Sequence, residues 1–285
     1  MKKIYLLLVV VIVFVACKSN EHASKKDSIK TTSVVDHSQK LIKKFKPIIQ
    51  GVWVKKDYID EIARTKSPLK AFDKAHHITT MIIEPELVKG DSLLIGVGYG
   101  NHEGGNLIVK FSPGHSASSI LAYNPGGRID SSFYELKYLI KKETTLILYT
   151  FDQNKKLVDS AEYFRVFDNQ NGKELGYGTD YTVNKILISG NYILTDSLNR
   201  TSQITFTNDG NVSGLNNFKT FYISIDFTTP PNNLDEIIFD LYSKKNKSYA
   251  FNINADTVNL YNTSQSADSI NLIKGKLVYK LVRLK

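Results

Sequence analysis

From residue 51 onward, apolar and polar positions alternate in short runs broken by Gly, Asn, Asp and Pro. Period-two alternation with β-branched and aromatic residues predicts strands. In the first half they fall at 51–55, 77–83, 92–99, 106–112, 119–123, 133–140, 145–150 and 158–166. In the second half they fall at 190–195, 202–207, 219–227, 235–242, 248–253, 257–261 and 276–284. Turn-forming clusters separate them, among them "NHEGG", "SPGH", "NPGG", "DQNKK", "TNDGN", "TPPNN" and "SKKNKS". Such even spacing suits a meandering antiparallel sheet closed into a barrel, which leaves no exposed edge. The predicted fold class is therefore all-β.

One stretch departs from alternation. After Gly51-Val52-Trp53, Asp57 can cap a helix whose one face carries Tyr58, Ile59, Ile62 and Ala63, with Asp60, Glu61 and Arg64 opposite. Ser67-Pro68 then reads as an N-cap followed by Pro at the first helical position, opening a second short helix through Ala75. The pattern predicts a small helical insert over 57–75, placed to plug or cover one barrel mouth.

The two halves echo one another. Gly51-Val52-Trp53 matches Gly190-Asn191-Tyr192, and Tyr163-Phe164-Arg165-Val166 matches Tyr279-Lys280-Leu281-Val282-Arg283. Between them lies "DNQNGKELGYGTDYTVN", polar and Gly-rich, the composition of a domain boundary. Each match is three to five residues, so one large sheet stands as the alternative to duplication. The expected arrangement is two antiparallel up-and-down barrels in tandem, 47–168 with the insert and 188–285, joined by a linker over 169–187.

The N-terminus changes the picture by adding a destination. Met1-Lys2-Lys3 is basic, and Ile4 to Val15 is an apolar run of twelve residues, shorter than the ~20 needed to span a bilayer. That is the pattern of a secretory signal peptide, here 1–17. Phe14-Val15-Ala16-Cys17 resembles a bacterial lipobox, with Phe14 where Leu is usual, and makes Cys17 the lipidation site. The competing reading is an ordinary signal or anchor with an incidental Cys. As Cys17 is the single cysteine, no internal disulfide is available. Residues 18–46 are rich in Lys, Ser and Thr without apolar periodicity, and are expected to be a disordered basic tether.

Charge then excludes one class of partner. Of the net +9, Lys2 and Lys3 supply +2 and residues 18–46 supply +5, leaving +2 for residues 47–285. The basicity sits beside the anchor, where lysines are drawn to anionic headgroups. A nucleic-acid binder would carry it on the folded domain.

Candidate chemistry is sparse. Asn101-His102-Glu103-Gly104-Gly105 joins two strands at a barrel rim, and a His-Glu pair could move protons or hold a metal. The alternative is a Gly-rich hairpin with both side chains solvated, and no further His or carboxylate lies close in sequence. Gly96, Gly98 and Gly100 alternate along a strand, so they make room on one face and do not form a phosphate loop, which must open a helix. His76-His77 precedes a strand, where adjacent residues face opposite sides, so the pair is a poor joint ligand and suits a structural role. No catalytic motif is present and no cofactor or metal is expected. The rim candidates for a ligand are Tyr58, Ile62, Tyr99, His102 and Glu103.

The Gly51-Val52-Trp53 start, with Arg165 or Arg283 on a closing strand, resembles the lipocalin-like barrels. The phrases "KDYIDEI", "TKSP", "KGDSLLIGVGYGNHEG" and "YFRVF" resemble lipoproteins of Bacteroidetes that carry lipocalin-like domains. The resemblance implies that Arg165 packs over Trp53 at the barrel floor, with Tyr192 and Arg283 as the matching pair. It implies a location in the cell envelope, lipid-anchored, by default the outer membrane facing the periplasm, and implies no activity. Asp-Ser/Thr-apolar triplets occur six times, with Ser28, Ser92, Ser160, Ser197, Thr257 and Ser269 in the middle place. They resemble the O-glycosylation site of exported Bacteroidetes proteins. A structural account competes: Asp ends a turn and Ser or Thr starts a strand. The function expected is non-catalytic: a small apolar or amphipathic ligand held in one barrel, or a structural and interaction lipoprotein with barrels filled by side chains.

Overall fold

The computed structural model describes residues 27–125, 133–170 and 172–284, with side chains from residue 37. The signal peptide with Cys17, and residues 18–26 of the tether, lie outside the described residues. The eight strands expected in the first half are present. They are β1 (Gly51–Lys55), β2 (Ile78–Ile83), β3 (Ser92–Tyr99), β4 (Glu103–Pro113), β5 (Ser119–Tyr123), β6 (Phe133–Ile140), β7 (Thr144–Phe151) and β8 (Leu157–Phe167). Each pairs antiparallel with the next, and β8 returns to β1 with Arg165 opposite Trp53, closing the barrel.

A second antiparallel sheet of eight strands follows. Its strands are β9 (Gly190–Asp196), β10 (Thr201–Phe206), β11 (Val212–Ser213), β12 (Phe221–Ile223), β13 (Glu236–Phe239), β14 (Lys247–Asn254), β15 (Thr257–Gln265) and β16 (Leu272–Arg283). The order is β11-β10-β9-β16-β15-β14-β13-β12, so β16 returns to β9 as β8 does to β1. Its two ends meet only through a short bridge. Asn211 pairs with Thr220, Val212 N donates to Lys219 O at 2.9 Å, and Phe221 N donates to Gly210 O at 2.7 Å.

Helices complete each sheet. They are α1 (Asp27–Ile49) before β1, α2 (Lys56–Thr65) and α3 (Pro68–Ala71) after it, and α4 (Tyr177–Leu187) before β9. At α3 the Ser67 hydroxyl accepts from Lys70 N, the cap that the Ser-Pro pair implies.

The same clamp is built at the start of both sheets. Trp53 Nε1 donates to Ile49 O at 2.8 Å, and Tyr192 Oη donates to Ile188 O at 2.7 Å. The Arg165 guanidinium lies 4.7 Å from the Trp53 ring and donates to Ile48 O at 2.6 Å. The Arg283 guanidinium lies 4.9 Å from the Tyr192 ring and donates to Ser189 O. Gly51 and Gly190 sit at φ +124° and +141°, and a Cβ on either would run into the Phe167 carbonyl or the Arg283 guanidinium.

Three expectations are corrected. Residues 27–46 are helical, not a disordered tether. Ile42, Phe45 and Ile49 recur at helical spacing and bury in the barrel core, with Phe45 edge-on to Tyr138 at 5.1 Å. The linker over 169–187 is likewise largely helix. Thr179, Val183 and Leu187 of α4 are buried, and Gly178 comes so close to β1 that a Cβ would meet Val52 Cγ1 at 2.6 Å. The insert does not cover the mouth of the first barrel. Tyr58, Ile59 and Ile62 of α2 join one buried cluster with α4 and the interior of the second sheet. Tyr58 and Ile62 are therefore core residues, fully enclosed, and not rim contacts.

Both interiors are filled. In the first barrel Trp53, Met81, Phe111, Tyr163 and their aliphatic neighbours form a single buried cluster. In the second sheet the inward ring of Phe206 meets Tyr192 and Phe221 edge to face and Phe239 at a tilt, and Phe239 meets Tyr249 edge to face.

Phe45→Ala is expected to destabilise the full chain by about 3–4 kcal/mol, as for a buried aromatic cut to Ala; urea denaturation measures it, and a disordered tether would show no change. Arg165→Ala removes the hydrogen bond to Ile48 O, an exposed pair with Asp168 and a ring contact, and is expected to cost about 2–3 kcal/mol. Arg283→Ala should match it within about 1 kcal/mol if the two clamps are equivalent.

Candidate functional site

A cleft of about 1230 Å³ opens between the outer face of the first barrel and the second sheet. One wall is Thr80 on β2, Gly98 on β3 and the β3–β4 hairpin. The base is Glu174 to Asp180, leading into α4. The far wall is the β10–β11 turn, the approach to β12, and the β13–β14 turn with Tyr242.

Local sequence explains the shape. Gly96, Gly98 and Gly104 turn outward, and Leu175 of the linker lies against all three, within 3.4–3.9 Å of where their Cβ atoms would stand. Gly96 and Gly98 make room for the linker, as their alternation implies, while Gly100 lies in the turn at φ +57°, beside Ala75 O. Thr80 Oγ1 and Thr179 Oγ1 share a hydrogen bond of 2.6 Å, which fixes the start of α4 on β2.

The hairpin expected to carry chemistry joins the two sheets. His102 Nδ1 lies 2.6 Å from Asp226 Oδ2 and 3.0 Å from Thr228 Oγ1. Asn101 Nδ2 donates to Ile225 O at 3.4 Å. The bond to Asp226 raises the His102 pKa above its ordinary value of 6.5, and the charge of Asp226 adds to this. Burial opposes ionisation of Asp226, yet the bonds from His102 and Thr228 outweigh it and hold its carboxyl below the usual range. Asp235 forms a second link, accepting from Ser67 Oγ at 2.5 Å and Leu69 N at 2.8 Å. Burial lifts its carboxyl above the usual range despite those bonds.

Glu103 is exposed on the cleft rim; His102 takes Asp226 as its hydrogen-bond partner, and the charge of Glu103 adds to the upward shift of its pKa. Tyr99 is partly buried against the first barrel's core. His76 and His77 are both exposed, and serve through their carbonyls. His76 O accepts from Lys55 Nζ at 3.0 Å, and His77 O accepts from Gly100 N at 2.9 Å. Among the described residues no three His, Cys, Asp or Glu side chains gather as a metal site.

One cluster resembles a hydrolytic triad only in composition. His115 Nδ1 lies 2.5 Å from Glu135 Oε2, near Ser119. Glu135 is buried, but hydrogen bonds from Ser119 and His115 hold its carboxyl below the usual range. Both partners therefore serve the carboxylate, and neither activates the other as a nucleophile would require. The cluster pins the β4–β5 loop.

The six triplets fall in different settings. Asp91-Ser92 and Asp256-Thr257 open β3 and β15, as the structural account expects. Asp196 and Asp268 instead close turns by accepting from Leu198 N and Ile270 N, leaving Ser197 and Ser269 exposed. Ser160 is exposed within β8, and Ser28 falls in α1.

Asp180 was not singled out from the sequence. It stands in the first turn of α4, partly buried on the cleft wall. Burial pushes its carboxyl up to about 7, with the charge of Glu174 adding. An acid in the first turn ahead of Val183 and Leu187 was the available signal, hidden because the segment reads as a polar linker. Five carboxylates line the cleft, Glu103, Glu174, Asp180, Asp209 and Asp240, against Lys219 and Lys245. No protein-family model matches the chain, and no curated protein matches it either.

The His102 imidazole is expected to titrate above an ordinary histidine by NMR, and Asp226→Asn to bring it back down. With His102 raised and Asp226 lowered, the pair's contribution is full between about pH 4 and pH 6.5, fades as pH rises through the raised His102 value, and is lost as pH falls through the lowered Asp226 value. An unshifted His102 would show that the hairpin does not engage Asp226.

Proposed function

We propose that this chain is a lipid-anchored, non-catalytic cell-envelope protein of two lipocalin-like barrels in tandem, whose contact site is the cleft between them. The observation that carries the reading is where open space lies. Both interiors are occupied by buried side chains, while the large volume lies outside them, between the sheets. That arrangement favours barrels as scaffolds over barrels as containers, since a container of eight strands must leave its centre unfilled for a ligand.

The tandem lipocalin-like reading is supported by the repeated unit: a helix end, Gly-x-aromatic on the first strand, and Arg on the last. Lipid anchoring rests on Met1 to Cys17, outside the described residues, and the outer membrane facing the periplasm follows as the default location. The non-catalytic reading rests on the way the polar clusters are used, each tying one segment to another.

The full chain, purified in detergent, is titrated with cis-parinaric acid. No saturable fluorescence gain is expected. Stoichiometric binding, weakened by Leu136→Trp within the first barrel or Leu260→Trp within the second, would return the function to ligand carriage inside a barrel.

A further inference from the structure

We propose that the cleft binds a small organic cation, a primary ammonium or guanidinium, anchored on the Asp180 carboxylate. The inference rests on the cleft being the contact site and adds the chemistry of what enters it.

The first observation is a contrast among carboxylates. Burying a carboxylate costs free energy unless it is paired or hydrogen-bonded. The other enclosed acids meet this requirement: Glu135 has His115, Asp226 has His102, Asp235 has Ser67 and Leu69 N, and Glu236 has Ser248. Asp180 has neither a donor nor a cation on its carboxyl among the described residues, and only burial and Glu174 act on it. Its neighbours across the interface, Tyr58 on α2 and Tyr222 on β12, feel its charge and cannot neutralise it.

The second observation is access. Asp180 Oδ2 stands 3.9 Å from where a Cβ on Gly176 would be, and Gly176 is exposed on the cleft. The carboxylate thus faces the opening. At about 1230 Å³ the cleft is above the ~300–1,000 Å³ of ordinary small-molecule sites, so a ligand has room beyond its charged end.

The third observation is the lining. Five carboxylates against two lysines make the cleft acidic on a chain whose net charge is +9. A calcium ion takes six to eight oxygen ligands, and no triplet of ligating residues gathers among the described residues. Tyr222 lines the wall, and Tyr242 stands at the rim 99% exposed, packed against nothing. Ring faces beside an acid suit an organic cation.

The full chain in detergent is titrated calorimetrically at about pH 8, above the Asp180 value, so that the carboxylate is ionised while a primary amine stays protonated. The probes are tyramine, its neutral analogue tyrosol, its anionic analogue 4-hydroxyphenylacetate, agmatine and calcium chloride. Tyramine and agmatine are expected to saturate, with the analogues and calcium inert over the same range. Asp180→Asn should weaken both amines by about tenfold or more. Gly176→Phe should abolish both, since Gly176 has a helical backbone that any residue adopts. Melting curves show whether each variant is folded.

The proposal is overturned if neither amine saturates, if folded Asp180→Asn binds them unchanged, or if calcium binds in their place. Equal binding of tyrosol, abolished by Gly176→Phe, would overturn the cation and leave the cleft standing. Parinarate inside a barrel would instead sink the scaffold reading without touching Asp180.

Discussion

Each sheet depends on an arginine that holds three things together: the end of a helix, the first strand and the last strand. The final carbonyls of a helix have no partner within it and carry partial negative charge. Arg165 answers this at Ile48 O, and Trp53 Nε1 does so at Ile49 O. Arg283 and Tyr192 make the corresponding bonds to Ser189 O and Ile188 O, in the two-residue link between α4 and β9. Because the guanidinium also covers the aromatic ring, one side chain satisfies a carbonyl and seals the sheet's end. The ring's polar edge explains why Trp and Tyr fill equivalent places: each presents a donor where Phe would present none.

The clamp fixes where each helix lies, and the helices decide which spaces stay open. Held by Arg165, α1 sends Phe45 and Ile49 into the first barrel's core. Held by Arg283, α4 lies on the outside of β1 and carries Val183 and Leu187 into the second core. That second core also takes Val54, Phe164 and Val166 from the first barrel, together with the apolar face of α2. The two sheets therefore share buried surface, and a cut within the linker would expose apolar residues on both sides. A single helical insert suffices because β9 and β10 are joined by a tight turn and bring none of their own.

Strands were legible in the sequence because their signal is local. Alternation in "SLLIGVGY" reports burial on one face without reference to anything distant. The second sheet was read less fully: β11, two residues long, is too short for a period to register, and β12 is three residues where a strand over 219–227 is predicted. α1 was hidden for another reason. Its lysines fill the solvent face, and the spacing of Ile42, Phe45 and Ile49 is conspicuous only once a core exists to receive it. The floor pairs were legible as matched motifs. The cleft was not, since Asp180, His102 and Asp226 are brought together by the packing of two sheets, and no window along the chain contains them.

An acidic cleft on a basic chain is not a contradiction at this scale. In about 0.1 M salt, charges interact over roughly 10 Å, so net charge says little about the potential at one site. What acts there is the local set: Glu174 on the linker, Asp209 and Asp240 on the second sheet, with Lys219 and Lys245 opposing them. Asp240 is already engaged, accepting from Lys219 N and Thr220 N, and its carboxyl is held below the usual range by those bonds. Asp180 has no such bonds, and burial has driven it the other way. Two carboxylates lining the same cleft thus differ in their titration because one is bonded within the fold and the other is not, and the unbonded one is left with unspent capacity to pair with a cation.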